Sequence, residues 1–271
     1  MNHPDFRETV FFRDNYTPLS LINLYQNKTC YIIGNAPSLA QVIQDKELYN
    51  LLLDHRITKY CMNNSAEELG YNCNLWSCLD RPTKFSKRIF TNPNIMKLIP
   101  TNRYFQDKDK NKIIAYKEGK QEIKCVDCPN TIAVNYRYQE KSSKNQFIDE
   151  FITNTINTVG LESGHKSVLV FTLKNVLLLG FSKIILIGVD LNMSKDNPYY
   201  HKNSKDYSPA HINHNNRLYG FLRVFLDNLY KELNSEHSRY NCKIYSNKNI
   251  SGTIIPKIDL KKQLLEDLKN N

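Results

Sequence analysis

Tyrosine and histidine side chains suited to phosphate and proton chemistry cluster between residues 199 and 214. Tyr199 and Tyr200 begin the cluster, and His211 and His214 stand near its end. Tyrosine hydroxyls donate hydrogen bonds to phosphate oxygens, and a histidine can remove a proton from an acceptor hydroxyl. The cluster therefore predicts phosphate binding, with His214 or His211 as a general base. Metal binding is the alternative, but no acidic residue stands at ligand spacing.

A second set of polar residues follows the short apolar runs that predict strands. An asparagine side chain both donates and accepts hydrogen bonds, which suits a ribose hydroxyl or the edge of a base. Asp80 can hold a ribose, a metal ion or an acceptor hydroxyl, or it can cap the next segment. The residues predicted to line a site at these strand ends are Gly34, Asn35, Ala36, Ser38, Asn63, Asn64, Asp80 and Asp190.

The first of these strand ends lies in the segment CYIIGNAPSL, residues 30–39. Gly34 permits a sharp turn and a close approach of the backbone to a ligand. Pro37 and Ser38 are expected to start a helix, whose free N–H groups attract phosphate or carboxylate. The segment lacks the Gly-Lys-Ser/Thr of a Walker A loop and the later glycines of G-x-G-x-x-G. A tight turn without a ligand is the alternative.

The segment GLESGHKSVLV repeats this arrangement before a long apolar helix. Ser163 and Gly164 offer hydrogen-bond donors there, and Lys166 can meet a phosphate. Capping of the helix is the alternative role for Ser163.

Strands and helices must bring these residues together, and the apolar pattern predicts both. Buried strands are predicted by TCYIIG, ITKYCMNN, NLWSCLD, KIILIGVDLN and CKIYSNK. Helices are predicted by SLAQVIQDKELYNLLL, SVLVFTLKNVLLLGF and NNRLYGFLRVFLDNLYKEL. This alternation predicts an α/β fold, with a Rossmann-like, mostly parallel sheet flanked by helices and a small irregular lid region. Ligands bind such sheets beyond the carboxyl ends of the strands.

The domain organisation follows from the same pattern. We predict an N-terminal extension over residues 1–26, with a short helix around PLSLINLY, and a single Rossmann-like nucleotide-sugar-binding domain over residues 27–271. Weak and charged patterns around 104–145 and 193–214 predict lids or insertions. A hairpin is expected to turn at Glu118 and Gly119.

Charge and cysteine content narrow the class of protein. A net charge of +10 and a pI near 9.1 favour anionic partners: nucleotides, nucleic acid or an acidic membrane surface. The seven cysteines show no disulfide-scaffold spacing, and the single C-x-x-C pair, Cys125 and Cys128, is too little for a zinc site. No apolar run reaches transmembrane length, and the N-terminus shows no secretory signal. We expect a cytoplasmic protein, with peripheral membrane binding as the alternative.

Several motifs together resemble the bacterial sialyltransferases, which decorate surface oligosaccharides. The resemblance rests on IIGNAPSL, ESG before a helix, LLLGFSKIILIGVDL, a tyrosine-rich loop, a histidine and CKIYSNKNISG. The same motifs resemble the wider Rossmann-like group of MptE-like 6-hydroxymethylpterin diphosphokinases and flagellin Maf glycosyltransferases. The match consists of short islands between residues 30 and 252. The segments CLDRPTKF and NPNIMKLIP are similar to phage and bacterial relatives of this group.

The sialyltransferase resemblance implies roles for the matching residues. The tyrosines are expected to stabilise the leaving phosphate, and His214 or His211 corresponds to the general base. Ala36 departs from the family's first loop, which has glycine there. Leu161 and Glu162 stand where an arginine is expected. The residues that match donor-binding positions are Asn35, Ser38, Asn63, Asn64, Ser163, Gly164, Tyr199 and Tyr200.

We therefore expect an enzyme, a glycosyltransferase that moves a sugar from a nucleotide-sugar donor to an acceptor hydroxyl without a cofactor. The acceptor is a glycan or a nucleic acid. One alternative is a glycosyltransferase that acts on modified DNA bases, which the positive charge suits. A second is an MptE-like pyrophosphokinase that uses Mg²⁺ with Asp80 or Asp190. A third is a nucleotide-binding module without catalysis.

Overall fold

A computed structural model describes residues 11–13, 17–104, 113–134, 167–192, 209–238 and 240–270. Strands and helices alternate along the described chain, and most strand pairs are parallel. The predicted class, an α/β fold with a mostly parallel sheet flanked by helices, is confirmed. The chain divides into two compact units. The first unit comprises Met1–Tyr25 and Tyr60–Gly180, and the second comprises Gln26–Lys59 and Phe181–Asn271.

The described strands are short and number eleven. They are β1 (Phe11–Arg13), β2 (Thr17–Leu19), β3 (Thr29–Ile33), β4 (Lys59–Met62), β5 (Leu75–Ser77), β6 (Met96–Pro100), β7 (Ile114–Glu118), β8 (Gln121–Lys124), β9 (Thr131–Val134), β10 (Lys183–Ile187) and β11 (Lys243–Ser246).

The described helices differ widely in length. They are α1 (Ser38–Gln44), α2 (Lys46–Leu53), α3 (Ser65–Glu68), α4 (Lys87–Thr91), α5 (Thr101–Tyr104), α6 (Val168–Leu178), α7 (Pro209–Leu233) and α8 (Leu260–Asn270). Among the residues described, no helix is both long enough and apolar enough to cross a membrane.

In the first unit, β5, β6 and β9 follow β4 in a parallel array, and β1 and β2 continue it in antiparallel pairing. The indole of Trp76 on β5 is fully buried and meets Phe85 and Phe90 edge-on, at ring-centroid distances of 5.2 and 5.5 Å. Such aromatic pairs add to the stabilisation that burial of apolar surface provides. The predicted hairpin is confirmed, because β7 pairs with β8 around Gly119.

The N-terminal residues contribute strands to this unit. The prediction of a short helix around residues 18–25 was wrong, because Thr17–Leu19 forms β2, which is followed by turns. Phe11 and Phe12 on β1 are fully buried and pair with β9. Their burial stabilises β1, and the residues of β2 become a strand because they pair with it, Leu19 opposite Phe11 and Thr17 opposite Arg13.

In the second unit, β3, β10 and β11 are parallel, with β10 in the middle. β10 is an apolar run of β-branched and leucine residues, KIILI, and its last four residues are buried. Helix α8 is fastened by a buried network, in which the Tyr31 hydroxyl and the Gln263 amide donate to the Asp267 carboxylate at 2.5 and 2.8 Å. This network ties the end of the chain to β3.

Two helix boundaries differ from the sequence prediction. The single helix expected over SLAQVIQDKELYNLLL is divided into α1 and α2. Asp45 lies between them with extended backbone, and its side chain accepts a hydrogen bond from the Leu48 N–H at 3.1 Å, which caps α2. Helix α7 begins at Pro209, not near Asn215. Proline suits the first turn of a helix because its fixed φ is helical and its missing N–H would have no partner.

Candidate functional site at the carboxyl edge of the second unit

Three strand ends meet at the carboxyl edge of the second unit. They are residues 34–38 after β3, residues 188–192 after β10, and residues 246–248, which comprise the last residue of β11 and the two that follow it. The Asn247 N–H donates to the Leu186 carbonyl at 3.0 Å, and the Gly34 N–H donates to the Ile187 carbonyl at 2.8 Å. These bonds extend the parallel pairing past the strands and hold the three segments side by side. We refer to them together as the strand-end cluster.

Gly34 and Gly188 are the points of closest backbone approach in this cluster. A β-carbon on Gly34 would lie 2.3 Å from the Gly188 carbonyl oxygen, and one on Gly188 would lie 2.8 Å from the Gly34 carbonyl oxygen. Gly188 also has a positive φ of 65°. We predicted that Gly34 lets the backbone approach a ligand, but the group that it admits is the neighbouring loop. The Ala36 N–H completes the contact by donating to the Gly188 carbonyl at 2.9 Å.

Asp190 is joined to the start of α1. One carboxylate oxygen accepts the Ser38 N–H at 3.0 Å, and the other accepts the Ser38 hydroxyl. A carboxylate at this position satisfies the first free N–H of the helix and complements its dipole. The next two N–H groups, those of Leu39 and Ala40, donate to the carbonyls of Ala36 and Pro37 at 3.0 Å each. The N–H groups that we predicted to bind phosphate therefore have acceptors within the protein.

Lys248 brings a positive charge to the cluster. Its ammonium lies 3.7 Å from a carboxylate oxygen of Asp190, and its side chain is 46% exposed while that of Asp190 is 12% exposed. The Lys248 N–H donates to the Ser246 hydroxyl at 3.4 Å, which fixes the backbone where the side chain begins. Lys248 was not among the predicted site residues. The same rule that selected the other strand-end residues could have found it.

Asn35 has a buried acceptor in the same cluster. Its side-chain oxygen is inaccessible to solvent and has no hydrogen-bond partner among the described residues. A buried carbonyl oxygen left in this condition costs free energy, which a ligand N–H or O–H can recover.

Helix α7 carries the two predicted histidines in the second unit. His211 and His214 lie in its first two turns, three residues apart, although we expected them in a loop before the helix. Further along α7, the Arg223 guanidinium donates to the Leu191 carbonyl at 2.7 Å, which ties the helix to the segment that follows β10. At about 1.5 Å per residue, His214 lies about 14 Å along the helix axis from Arg223.

Asn63 and Asn64 follow β4 in the first unit. Asn63 adopts a positive φ of 51°. Its backbone N–H donates to the Ser77 carbonyl at 3.0 Å, and its backbone carbonyl accepts the Trp76 indole N–H at 2.7 Å. Both side-chain oxygens are buried and have no partner in the described part of the chain. All three amides predicted to bind a nucleotide thus have an unsatisfied acceptor, a condition that is rare in folded proteins.

Asp80, also in the first unit, is in a different environment. Its side chain is 58% exposed and forms an ion pair with Lys84 at 3.1 Å, four residues along the chain. Exposed pairs of this kind contribute little to stability. Within the described ranges, no group of three or more His, Cys, Asp or Glu side chains could hold a metal ion.

The remaining predicted contacts fall outside the described residues. They are Ser163, Gly164, Tyr199 and Tyr200.

Two buried lysines and the C-x-x-C pair have structural roles. The ammonium groups of Lys59 and Lys97 donate to the carbonyls of Asp54 and Asn92, at 2.8 and 2.7 Å, which fastens the turn before each strand. Burial raises the pKa of the Cys128 thiol to about 11. Thiols with so high a pKa are weak nucleophiles, so the C-x-x-C pair has the character of structural cysteines.

Comparison with known proteins identifies one remote structural likeness. No protein-family model and no curated protein matches the sequence. Among solved structures, the sialyltransferase CstII from Campylobacter jejuni, in complex with the substrate analogue cytidine-5′-monophosphate, matches with a TM-score of 0.42 and 15% identity over 87% of each chain. A likeness at this level identifies neither an activity nor a substrate for this chain.

Proposed function

We propose that the second unit binds a nucleotide at the strand-end cluster, and that the protein is a glycosyltransferase that uses a nucleotide-sugar donor. The observation that carries the proposal is the buried, unsatisfied side-chain oxygen of Asn35 at the carboxyl edge of parallel strands. Ligands of open α/β sheets bind outside this edge. The base and ribose of a nucleotide supply the N–H and O–H donors that such an oxygen requires.

The proposed reaction needs a base for the acceptor and stabilisation for the leaving phosphate. His214 or His211 removes the proton from the acceptor hydroxyl as the hydroxyl attacks the sugar carbon, and the bond from that carbon to the nucleotide's phosphate breaks. Charge then builds on the departing phosphate oxygen, where hydroxyls of Tyr199 and Tyr200 are proposed to donate hydrogen bonds. Both histidines belong to a helix that Arg223 fastens to the same strand-end cluster.

The experiment is a thermal-shift screen with CMP, UMP, UDP, GDP and ATP, followed by the corresponding nucleotide sugars. A ligand that binds the folded state raises the apparent melting temperature by mass action. Asn35→Ala should lower the affinity for whichever ligand binds by about tenfold, since it removes a hydrogen bond to a buried group. Asn249→Ala, at an exposed asparagine of the same unit, is the matched control and should leave affinity unchanged.

The binding screen and an assay for nucleotide release together distinguish the proposed function from its alternatives. Binding that depends on Asn35, with release of free nucleotide from a nucleotide sugar, supports the proposal. Absence of binding by every nucleotide and nucleotide sugar overturns it. Activity that EDTA abolishes would favour a Mg²⁺-dependent pyrophosphokinase, and binding without turnover would leave a non-catalytic module.

That Asn63 and Asn64, in the first unit, bind a nucleotide stays a prediction from the sequence. Substituting each by alanine in the same screen tests it directly. An unchanged nucleotide affinity in both variants would contradict it.

A further inference from the structure

Several backbone donors of the strand-end cluster are already engaged. The N–H groups of Ala36 and Ser38 donate to the Gly188 carbonyl and to Asp190, and Pro37 has no N–H to offer. A positive side chain at this edge would add charge-assisted hydrogen bonds to a phosphate. In the described segments 34–38, 188–192 and 246–248, Lys248 carries the one cationic side chain.

We propose that Lys248 is the residue that binds the phosphate of the nucleotide, and that Asp190 positions its ammonium. This inference rests on the nucleotide-binding function proposed above. In this proposal Asp190 does not contact the ligand but joins the start of α1 to Lys248. The anionic ligand is bound by Lys248, which follows β11.

The geometry suits this division of roles. Asp190 is held by two hydrogen bonds from Ser38 and is only 12% exposed, so its carboxylate is a fixed reference point. The Lys248 ammonium lies 3.7 Å away, which is beyond hydrogen-bond distance but within the range of an ion pair. With 46% of its side chain exposed, Lys248 can keep this pair and still present N–H donors to a phosphate oxygen.

Among the described residues, Arg223 brings a second cation near this edge, and its guanidinium has another role. Its guanidinium donates to the Leu191 carbonyl at 2.7 Å, and its Nε is buried. Lys248 therefore has the exposure that a ligand contact requires, whereas Arg223 supports the backbone after Asp190.

The test compares Lys248, which follows β11, with Lys243, the first residue of that strand. Lys248→Met removes the charge at the carboxyl edge, and Lys243→Met removes an exposed charge at the amino end of β11. Both variants lower the net charge by one, so general electrostatic attraction changes equally. Binding is measured by calorimetry for cytidine and CMP, and likewise for the nucleoside and monophosphate of whichever base the thermal-shift screen identifies.

The quantity that matters is the affinity gained from the phosphate, which is the ratio of nucleotide affinity to nucleoside affinity. We expect Lys248→Met to reduce this ratio about tenfold and to leave nucleoside binding unchanged, with Lys248→Arg losing less. Lys243→Met should behave as the wild type. If the two methionine variants show the same ratio, the role of Lys248 is wrong while nucleotide binding stands. If the wild type binds neither nucleoside nor nucleotide, both proposals fail.

Discussion

Ser38 and Asp190, 152 residues apart in the chain, are joined by two hydrogen bonds, one from the backbone N–H and one from the hydroxyl of Ser38. They connect the helix after β3 to the segment after β10. A double-mutant cycle with Ser38→Ala, Asp190→Asn and the pair measures the coupling. We expect each single variant to lower the free energy of unfolding by about 1–3 kcal/mol, because it leaves a buried polar group unsatisfied.

The pair together should cost less than the sum of the single changes, since the bond between the side chains can be lost only once. Urea unfolding supplies the four free energies. Strict additivity would show that the hydroxyl contact contributes nothing to stability.

The close approach of Gly34 to Gly188 predicts a severe effect of one added methyl group. Gly34→Ala places a β-carbon 2.3 Å from the Gly188 carbonyl oxygen, so one of the two loops must move. We expect a loss of about 2 kcal/mol or more in the free energy of unfolding. Gly220→Ala in α7 is the matched control, because an added β-carbon there meets nothing within 4 Å. It should stabilise the protein by about 0.5–1 kcal/mol, and a Gly34 variant as stable as the wild type would contradict the packing described here.

Lys174 on α6 predicts a dependence of stability on pH. Its side chain is 1% exposed, and burial lowers its pKa from 10.5 to about 7. Between pH 7 and 9 the unfolded chain holds a proton on this lysine that the folded protein does not, so Lys174 makes the free energy of unfolding rise with pH. Buried thiols with a raised pKa, such as that of Cys128, oppose this rise toward pH 9. Lys174→Met should reduce the slope.

Unfolding in urea at pH 7, 8 and 9 measures this slope. In the Lys174 variant, Lys97 still contributes a smaller rise of the free energy of unfolding with pH, because burial lowers its pKa to about 8. Lys120→Met, at an exposed lysine of the same unit, is the control and should keep the wild-type slope. An unchanged slope in the Lys174 variant would show that the lysine stays charged in the folded protein.

We predict that alanine substitution of the two histidines of α7 will affect kcat unequally. Alanine at the general base should lower kcat about 100- to 10,000-fold with little change in the KM of the donor, since the base contacts the acceptor. Alanine at the other histidine, three residues away on the same helix, serves as the control. Full turnover in both variants would eliminate a histidine base, and the measurement is nucleotide release from the sugar donor that the screen identifies.

Apolar runs in the sequence predicted the three strands of the second unit and β4 and β5 of the first, but not β1, β2 and β9. KIILIGVDLN became β10 because short, β-branched, apolar segments bury best between parallel neighbours, here β3 and β11. TCYIIG and CKIYSNK became those neighbours. Because the strands of a parallel sheet run in one direction, their carboxyl ends share an edge, and Gly34, Ser38 and Asp190 lie there. Their types and their common edge are thus predictable from the chain alone.

Tertiary structure alone decided what these groups contact. Nothing in the sequence indicates that Gly34 admits a neighbouring loop, that Asp190 accepts both donors of Ser38, or that Lys248 reaches the same carboxylate. Each of these contacts depends on the lateral order of strands and on distances between segments far apart in the chain, which local propensity does not encode. A distant contact also explains why a stretch predicted as a helix became β2. The pairing of β1 with β9, far along the chain, positions β1 as the partner strand of β2.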